Sequence, residues 1–141
     1  MELKIKTFDE LTLRELYEIL RLRAEVFIVE QKGCYQDLDG IDCESLHIFF
    51  EEADGSVSGC VRIFPKEDEP GTVQVGRLVC RARRTGMGSK LMEQAERLAK
   101  ERYGAEELYL TGRKSAEGFY LKCGYRIESD EVFYDKFRKS L

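Results

Sequence analysis

The chain has 141 residues, is 43% hydrophobic and 35% charged, and carries a formal net charge of −4. That size suits one soluble domain with its own core, and the acidic balance argues against nonspecific nucleic-acid binding, which needs many unneutralised lysines and arginines. No apolar run approaches the roughly 20 residues of a membrane helix, and the opening MELKIKTF lacks a signal-peptide core, so no membrane association and a cytoplasmic address are expected.

Residues 2 to 8 alternate Leu3, Ile5 and Thr7 against Lys4, Lys6 and Phe8, the pattern of a half-buried strand. Thr12 with Glu15 three residues later makes a capping box. Leu13, Leu16, Tyr17, Leu20, Ala24 and Phe27 follow at helical spacing, predicting a helix to about Val29. The next stretch, EQKGCYQDLDGIDCES, is polar and acidic and reads as a solvated loop beside a substrate cleft. Its aspartates Asp37, Asp39 and Asp42 do not match a calcium loop, because Gly40 is misplaced and the distal glutamate is missing.

Leu46 to Ala53 and Val57 to Phe64 are β-rich runs joined by Asp54, Gly55 and Ser56, a hairpin signal. PKEDEPG, residues 65 to 71, holds both prolines and is a connecting loop before a strand at Val73. Leu91, Met92, Ala95, Leu98 and Ala99 mark one face of a helix that Gly104 can end, and Glu107 to Thr111 is a further strand. Residues 73 to 111 thus form a strand, helix, strand unit whose strands should run parallel. A short helix from about Ser115 to Lys122 ends at Gly124, and Tyr125 to Glu128 and Val132 to Phe137 supply closing strands.

Five cysteines (Cys34, Cys43, Cys60, Cys80, Cys123) include no Cys-x-x-Cys pair, and a single histidine, His47, completes no usual zinc set. Reduced thiols and no metal are expected.

The chemistry concentrates between the Val73 strand and the following helix, at Arg83, Arg84, Thr85, Gly86, Met87, Gly88 and Ser89. The first amides of a helix lack intrahelical acceptors and carry the positive end of its dipole, so such a turn holds anions. Glycines admit close backbone approach, and the arginine fork suits phosphate oxygens. A P-loop would need lysine where Ser89 follows Gly88, and a dinucleotide fingerprint would need a small residue where Leu91 stands. An ATP or NAD enzyme is therefore disfavoured.

Arg83-x-x-Gly86-x-Gly88 between a strand and a helix resembles the coenzyme A signature of the GNAT superfamily of N-acetyltransferases. Downstream, Ala116-x-x-Phe119-Tyr120-x-x-x-Gly124-Tyr125 is similar to that superfamily's tyrosine helix. In the N-terminal half, Leu22-Arg23-x-x-Val26-Phe27-x-Val29-Glu30-Gln31, then Tyr35-x-Asp37-x-Asp39 and His47, resemble its ElaA-like branch.

The resemblance implies an α/β fold of α+β type over residues 1 to 141. A central mixed, largely antiparallel sheet would hold a parallel strand-helix-strand coenzyme-binding core. It implies acetyl-CoA as cosubstrate, with pyrophosphate on residues 84 to 89 and pantetheine along Leu78, Val79 and Cys80. Tyr120 would be the general acid near the sulfur, and the acceptor an amine of a small molecule or peptide. Glu30 and His47, with Glu44 beside them, are the candidates for the general base. Arg62 and Arg77 either meet an acidic substrate group or pair with carboxylates, the safer expectation being pairing. A homodimer is left open. The link from Cys80 to Arg83 is shorter than the superfamily pattern, Arg113 replaces its usual asparagine, and the branch's Gly-Ile-Pro-His ending is replaced by DEVFYDKFRKSL. A noncatalytic CoA-binding or protein-interaction module on the same fold is the alternative.

Overall fold

The computed structural model describes residues 1–83, 85–131 and 133–141; Arg84, Val132 and the Asp130 side chain lie outside the described residues. Among the described residues there are seven strands, the second to fourth and the sixth and seventh consecutive, with helical segments between the others. β1 is Glu2–Thr7 and α1 is Leu13–Arg23, followed by a π-helical segment, Ala24–Glu30. β2 (Leu46–Glu51), β3 (Val57–Pro65) and β4 (Thr72–Cys80) lead into α2, Met87–Tyr103. β5 (Glu107–Arg113), α3 (Glu117–Lys122), β6 (Arg126–Asp130) and β7 (Tyr134–Ser140) complete the chain.

The strand order is β1-β2-β3-β4-β5-β7-β6. β4 and β5 are parallel, in register from Thr72↔Glu107 to Gln74↔Tyr109, as a strand-helix-strand crossover requires. β1/β2, β5/β7 and β6/β7 are antiparallel. This is the mixed α/β architecture anticipated from the sequence. Among the described residues no helix is long and apolar enough to cross a membrane.

The chain divides into two compact units, Met1–Arg62 with Arg77–Leu91 and Ile63–Gly76 with Met92–Leu141. In the first, Ile19, Leu22, Val26, Phe49, Val57, Cys60 and Val79 form a buried cluster, with Leu11 and Phe27 against it. The capping box at Thr12 is present: Glu15 N–H donates to Thr12 Oγ1 at 3.1 Å, and Thr12 N–H donates back to the Glu15 carboxylate at 2.9 Å. Lys4 and Lys6 reach the same carboxylate at 3.0 and 2.8 Å. Burial would raise its pKa, but the hydrogen bonds from Lys6, Thr12 and Lys4 outweigh burial and lower it to about 2.

The face that α1 buries differs from the one its apolar spacing suggested. Leu13 and Tyr17 are 88% and 67% exposed. The buried residues are Glu15, Glu18, Ile19, Leu22, Arg23 and Val26, and the three ionisable side chains among them each have partners of opposite charge. The helix then continues to Glu30 as a π-turn, with Gln31 N–H donating to Val26 O at 2.9 Å.

In the second unit, Val73, Val75, Leu98, Leu108, Leu110 and Phe137 are buried. α2 ends where Gly104 adopts φ +60°, with Gly104 N–H on Lys100 O and Ala105 N–H on Ala99 O. That pattern satisfies the last carbonyls in the manner that favours glycine.

Candidate active site

β4 delivers the chain to the glycine turn. Gly86 sits at φ +81°, a backbone that L side chains avoid. Among the described residues, chain neighbours aside, no heavy atom lies within 4 Å of a Cβ built there, so the backbone conformation demands glycine. Lys90 N–H donates to Gly86 O at 3.1 Å, which opens α2 at Met87. No acidic residue occupies the first turn of this 17-residue helix, so no carboxylate of its own competes for the positive end.

Met87 anchors the turn. It is 9% exposed, and its Sδ lies 2.5 Å from where a Cβ on Gly59 would stand. A side chain at Gly59 in β3 would therefore displace the first residue of α2. Gly59 is absent from the residues that the sequence patterns single out, although glycine inside a strand is the signal that marks such a close approach.

Arg83 and Glu30 meet at 3.0 Å, with side chains 60% and 54% exposed, and Arg81 meets Glu25 at 3.3 Å. Both bonds join the turn to the π-helical segment. Arg21, Ala24, Glu25, Val29 and Arg81 line an open depression of about 600 Å³ beside it. Arg84, the other arginine of the turn, lies outside the described residues. Thr85, Gly86 and Ser89 are exposed, and Gly88 is partly so.

Leu78, Val79 and Cys80 form the last extended stretch before this cradle. Val79 belongs to the buried cluster, and Arg81 N–H donates to Ser58 O at 2.8 Å, fixing the end of the strand. Burial pushes the Cys80 thiol up to about 11, so it is protonated at neutral pH and a poor nucleophile. All five cysteines are free.

The acidic loop is not solvated as the sequence suggested. Asp37 and Asp42 are buried, and three arginines from three different elements hold the three aspartates. Arg23 reaches Asp37 at 3.0 Å and Asp42 at 2.7 Å. Arg62 reaches Asp39 at 2.7 Å and Asp42 at 3.0 Å. Arg77 reaches Asp37 at 2.7 Å and Asp39 at 3.2 Å. The six charges cancel, which is what makes their burial tolerable. Arg62 and Arg77 thus pair with carboxylates.

His47 stands against this network. It is 2% exposed and its Nε2 is 2.9 Å from Asp42 O. Burial holds its pKa below the ordinary histidine value, so the ring is neutral at pH 7. One ring nitrogen of His47 is therefore occupied in a buried position, and Glu44 is exposed.

Tyr120 belongs to the second unit. Its ring lies over Gly112 of β5, where a Cβ would come within 2.6 Å of Tyr120 Cε2, and its centroid is 5.0 Å from that of Phe137 and 6.2 Å from that of Tyr125. Gly124, at φ +92°, ends α3 and lets Tyr125 N–H return to Tyr120 O at 3.1 Å. The spacing Phe119-Tyr120-x-x-x-Gly124-Tyr125 is therefore a packing motif that fixes the tyrosine ring, with Gly112 as its seat.

The described residues contain no group of three or more His, Cys, Asp or Glu side chains placed to hold a metal. The glycine turn, the helix start and Arg83 are groups of the kind that favour anions.

Known proteins resemble this chain over most of its length. A family model for acetyltransferases (GNAT family) matches residues 13–125. Protein ElaA of Escherichia coli is 31% identical over 129 residues, covering 89% of this chain and 83% of ElaA. The crystal structure of an acyl-CoA N-acyltransferase from Pseudomonas aeruginosa is 32% identical, with a TM-score of 0.88 and 99% of each chain covered. At 17% identity, a Thermoplasma acidophilum PaiA N-acetyltransferase solved in complex with coenzyme A shares the fold, with a TM-score of 0.74 over the whole of both chains.

Proposed function

The chain belongs to the acetyltransferase (GNAT) family, and from that premise we propose that it is an acetyl-CoA-dependent N-acetyltransferase, a single catalytic domain that acts on a primary amine of a small molecule or peptide. The observation that carries the reading is the glycine turn: left-handed Gly86, a helix start free of acidic side chains, and Arg83 at its entrance.

In this reading the pyrophosphate rests on the backbone amides of Thr85 to Ser89 with Arg83 as its cation, and Arg84 is assigned to the same anion by its place in the motif. Pantetheine runs along the backbone of Leu78, Val79 and Cys80. One of those amides also polarises the thioester carbonyl, as preorganised donors do for a developing oxyanion. The neutral amine attacks the carbonyl carbon, the carbon–sulfur bond breaks, and the thiolate takes its proton from the Tyr120 hydroxyl. A phenol of ordinary pKa near 10 is protonated at neutral pH and matched to a thiolate of comparable basicity. The ammonium proton leaves to water. His47 is buried with its Nε2 on Asp42 O, and this reading assigns the base role neither to it nor to Glu30.

Two measurements test this. Calorimetry should show saturable binding of acetyl-CoA, and free-thiol detection across an amine panel should show turnover. Tyr120→Phe should lower kcat by roughly 100-fold, the low end for a general acid, while leaving acetyl-CoA affinity unchanged. Absence of both heat and thermal shift at high acetyl-CoA would sink the proposal. Binding without turnover across the panel would favour a noncatalytic coenzyme-binding module instead. An unchanged rate in Tyr120→Phe would remove the acid role alone.

A further inference from the structure

Arg77 is a non-glycine residue at φ +56° inside β4. L residues rarely adopt that conformation, and it persists only where the surroundings over-determine it. Here they do. Asp37 Oδ1 lies 2.7 Å from Arg77 Nε, Asp39 Oδ2 lies 3.2 Å from Nη2, and Nη2 donates to Asp37 O at 3.0 Å. The guanidinium also lies over the Tyr35 ring, 5.6 Å from its centroid.

Neither aspartate is free to follow the arginine if its backbone relaxes. Asp37 is held by Arg23, and Asp39 by both terminal nitrogens of Arg62 at 2.9 and 2.7 Å. The clamp is thus tied to α1 and β3, not to the loop alone.

The left-handed residue comes immediately before Leu78, Val79 and Cys80. The far end of that segment is already fixed by the burial of Val79 and the bond from Arg81 N–H to Ser58 O. An irregular residue in a strand re-aims the residues after it. The near end of the segment begins at Arg77.

We propose that Asp37 and Asp39 are positioning residues for the acyl donor: by clamping the Arg77 guanidinium they hold the left-handed turn in β4 and so aim the backbone of Leu78 to Cys80 at the thioester arm. This rests on the proposed acetyl-CoA-dependent function. It assigns to the acidic loop a part in the reaction beyond stability, through Arg77 and without contact with substrate.

The test compares acetyl-CoA affinity by calorimetry, KM and kcat by thiol release, and Tm, in three variants. Arg77→Val places a β-branched residue where φ is positive; it should weaken acetyl-CoA binding roughly tenfold or more, since small misplacements at a reacting group are costly. Arg77→Asn loses the same guanidinium, and with it the clamp, but tolerates the left-handed region, so it should fall between the wild type and Arg77→Val, about threefold to fivefold weaker than the wild type. Asp39→Asn keeps shape and removes charge, and should raise KM for acetyl-CoA about threefold to tenfold with a smaller change in kcat.

If the wild type binds acetyl-CoA and all three variants lose Tm without losing affinity, the network serves stability only and the inference is overturned. Equal losses in Arg77→Val and Arg77→Asn would overturn the backbone account. A wild type that binds no acetyl-CoA would overturn the functional reading, and this inference with it.

Discussion

Two clusters of arginine and carboxylate lie within the first unit, and they differ in almost everything except their chemistry. At the acidic loop, Arg23 and Arg62 are 1% and 3% exposed and each touches two aspartates. At the glycine turn, Arg81 and Arg83 have side chains 40% and 60% exposed, and each meets a glutamate that is itself more than half exposed. The same ion pair is structural in one place and exchangeable in the other. A buried pair cannot be broken without stranding a charge, whereas an exposed one is worth little and yields readily to a better anion such as a phosphate.

The largest effect should come from breaking the buried cluster. Arg23→Ala leaves Asp37 and Asp42 without their shared cation and should lower the unfolding free energy by about 3–5 kcal/mol in a urea melt. A loss under about 1 kcal/mol would place this cluster in the same class as the exposed one.

Acid should distinguish the two next. Hydrogen bonds from Arg62 hold Asp39 well below the usual carboxylate range. For Asp42, burial acts to raise the pKa but the hydrogen bonds and charge of Arg23, with Arg62, overcome it and the value falls. Carboxyl groups depressed in the folded state contribute stability that is present above the unfolded pKa, near 4, and is lost as the pH falls below it. Stability should therefore decline between about pH 5 and 2, by on the order of 2 kcal/mol from these two groups. Asp39→Asn should flatten part of that decline in denaturant melts at stepped pH.

At the turn the readout is affinity. Arg83→Ala should weaken acetyl-CoA about tenfold, the lower range for a lost charge-assisted hydrogen bond, with Tm nearly unchanged. A fall in Tm with affinity intact would show Arg83 to be structural after all. The smallest effect belongs to Glu30→Ala, which removes the competing carboxylate and should strengthen acetyl-CoA binding by no more than about fivefold. Weaker binding in that variant would mean that Glu30 orients Arg83 for the phosphate instead of occupying it.

Much of the fold was legible because local signals and tertiary structure agree. The capping box at Thr12 starts α1, the Asp54-Gly55 turn sits between β2 and β3, and Gly104 stops α2 at a left-handed residue. The turn at Gly86 was legible for the same reason, since positive φ and a helix start are properties of a few adjacent residues. The buried face of α1 was not, because Glu15 and Arg23 lie in it and a hydrophobic period cannot register a charge neutralised by residues far along the chain. Gly59 and Gly112 gave a signal, glycine within a strand, but what fills the space above each of them is visible only after folding.

The sequence by itself determined the elements, their order, the family and the glycine-punctuated start of α2, because spacing, caps and turn chemistry act over short distances. Only the tertiary structure decided which charges are structural. Asp37, Asp39 and Asp42 read as a solvated loop until Arg23, Arg62 and Arg77 arrive from α1, β3 and β4, and the burial of His47 with its ring nitrogen on Asp42 O is likewise visible only in the folded chain. Burial and long-range pairing set the free energy of a charge, and neither is a property of the residue or of its neighbours in sequence.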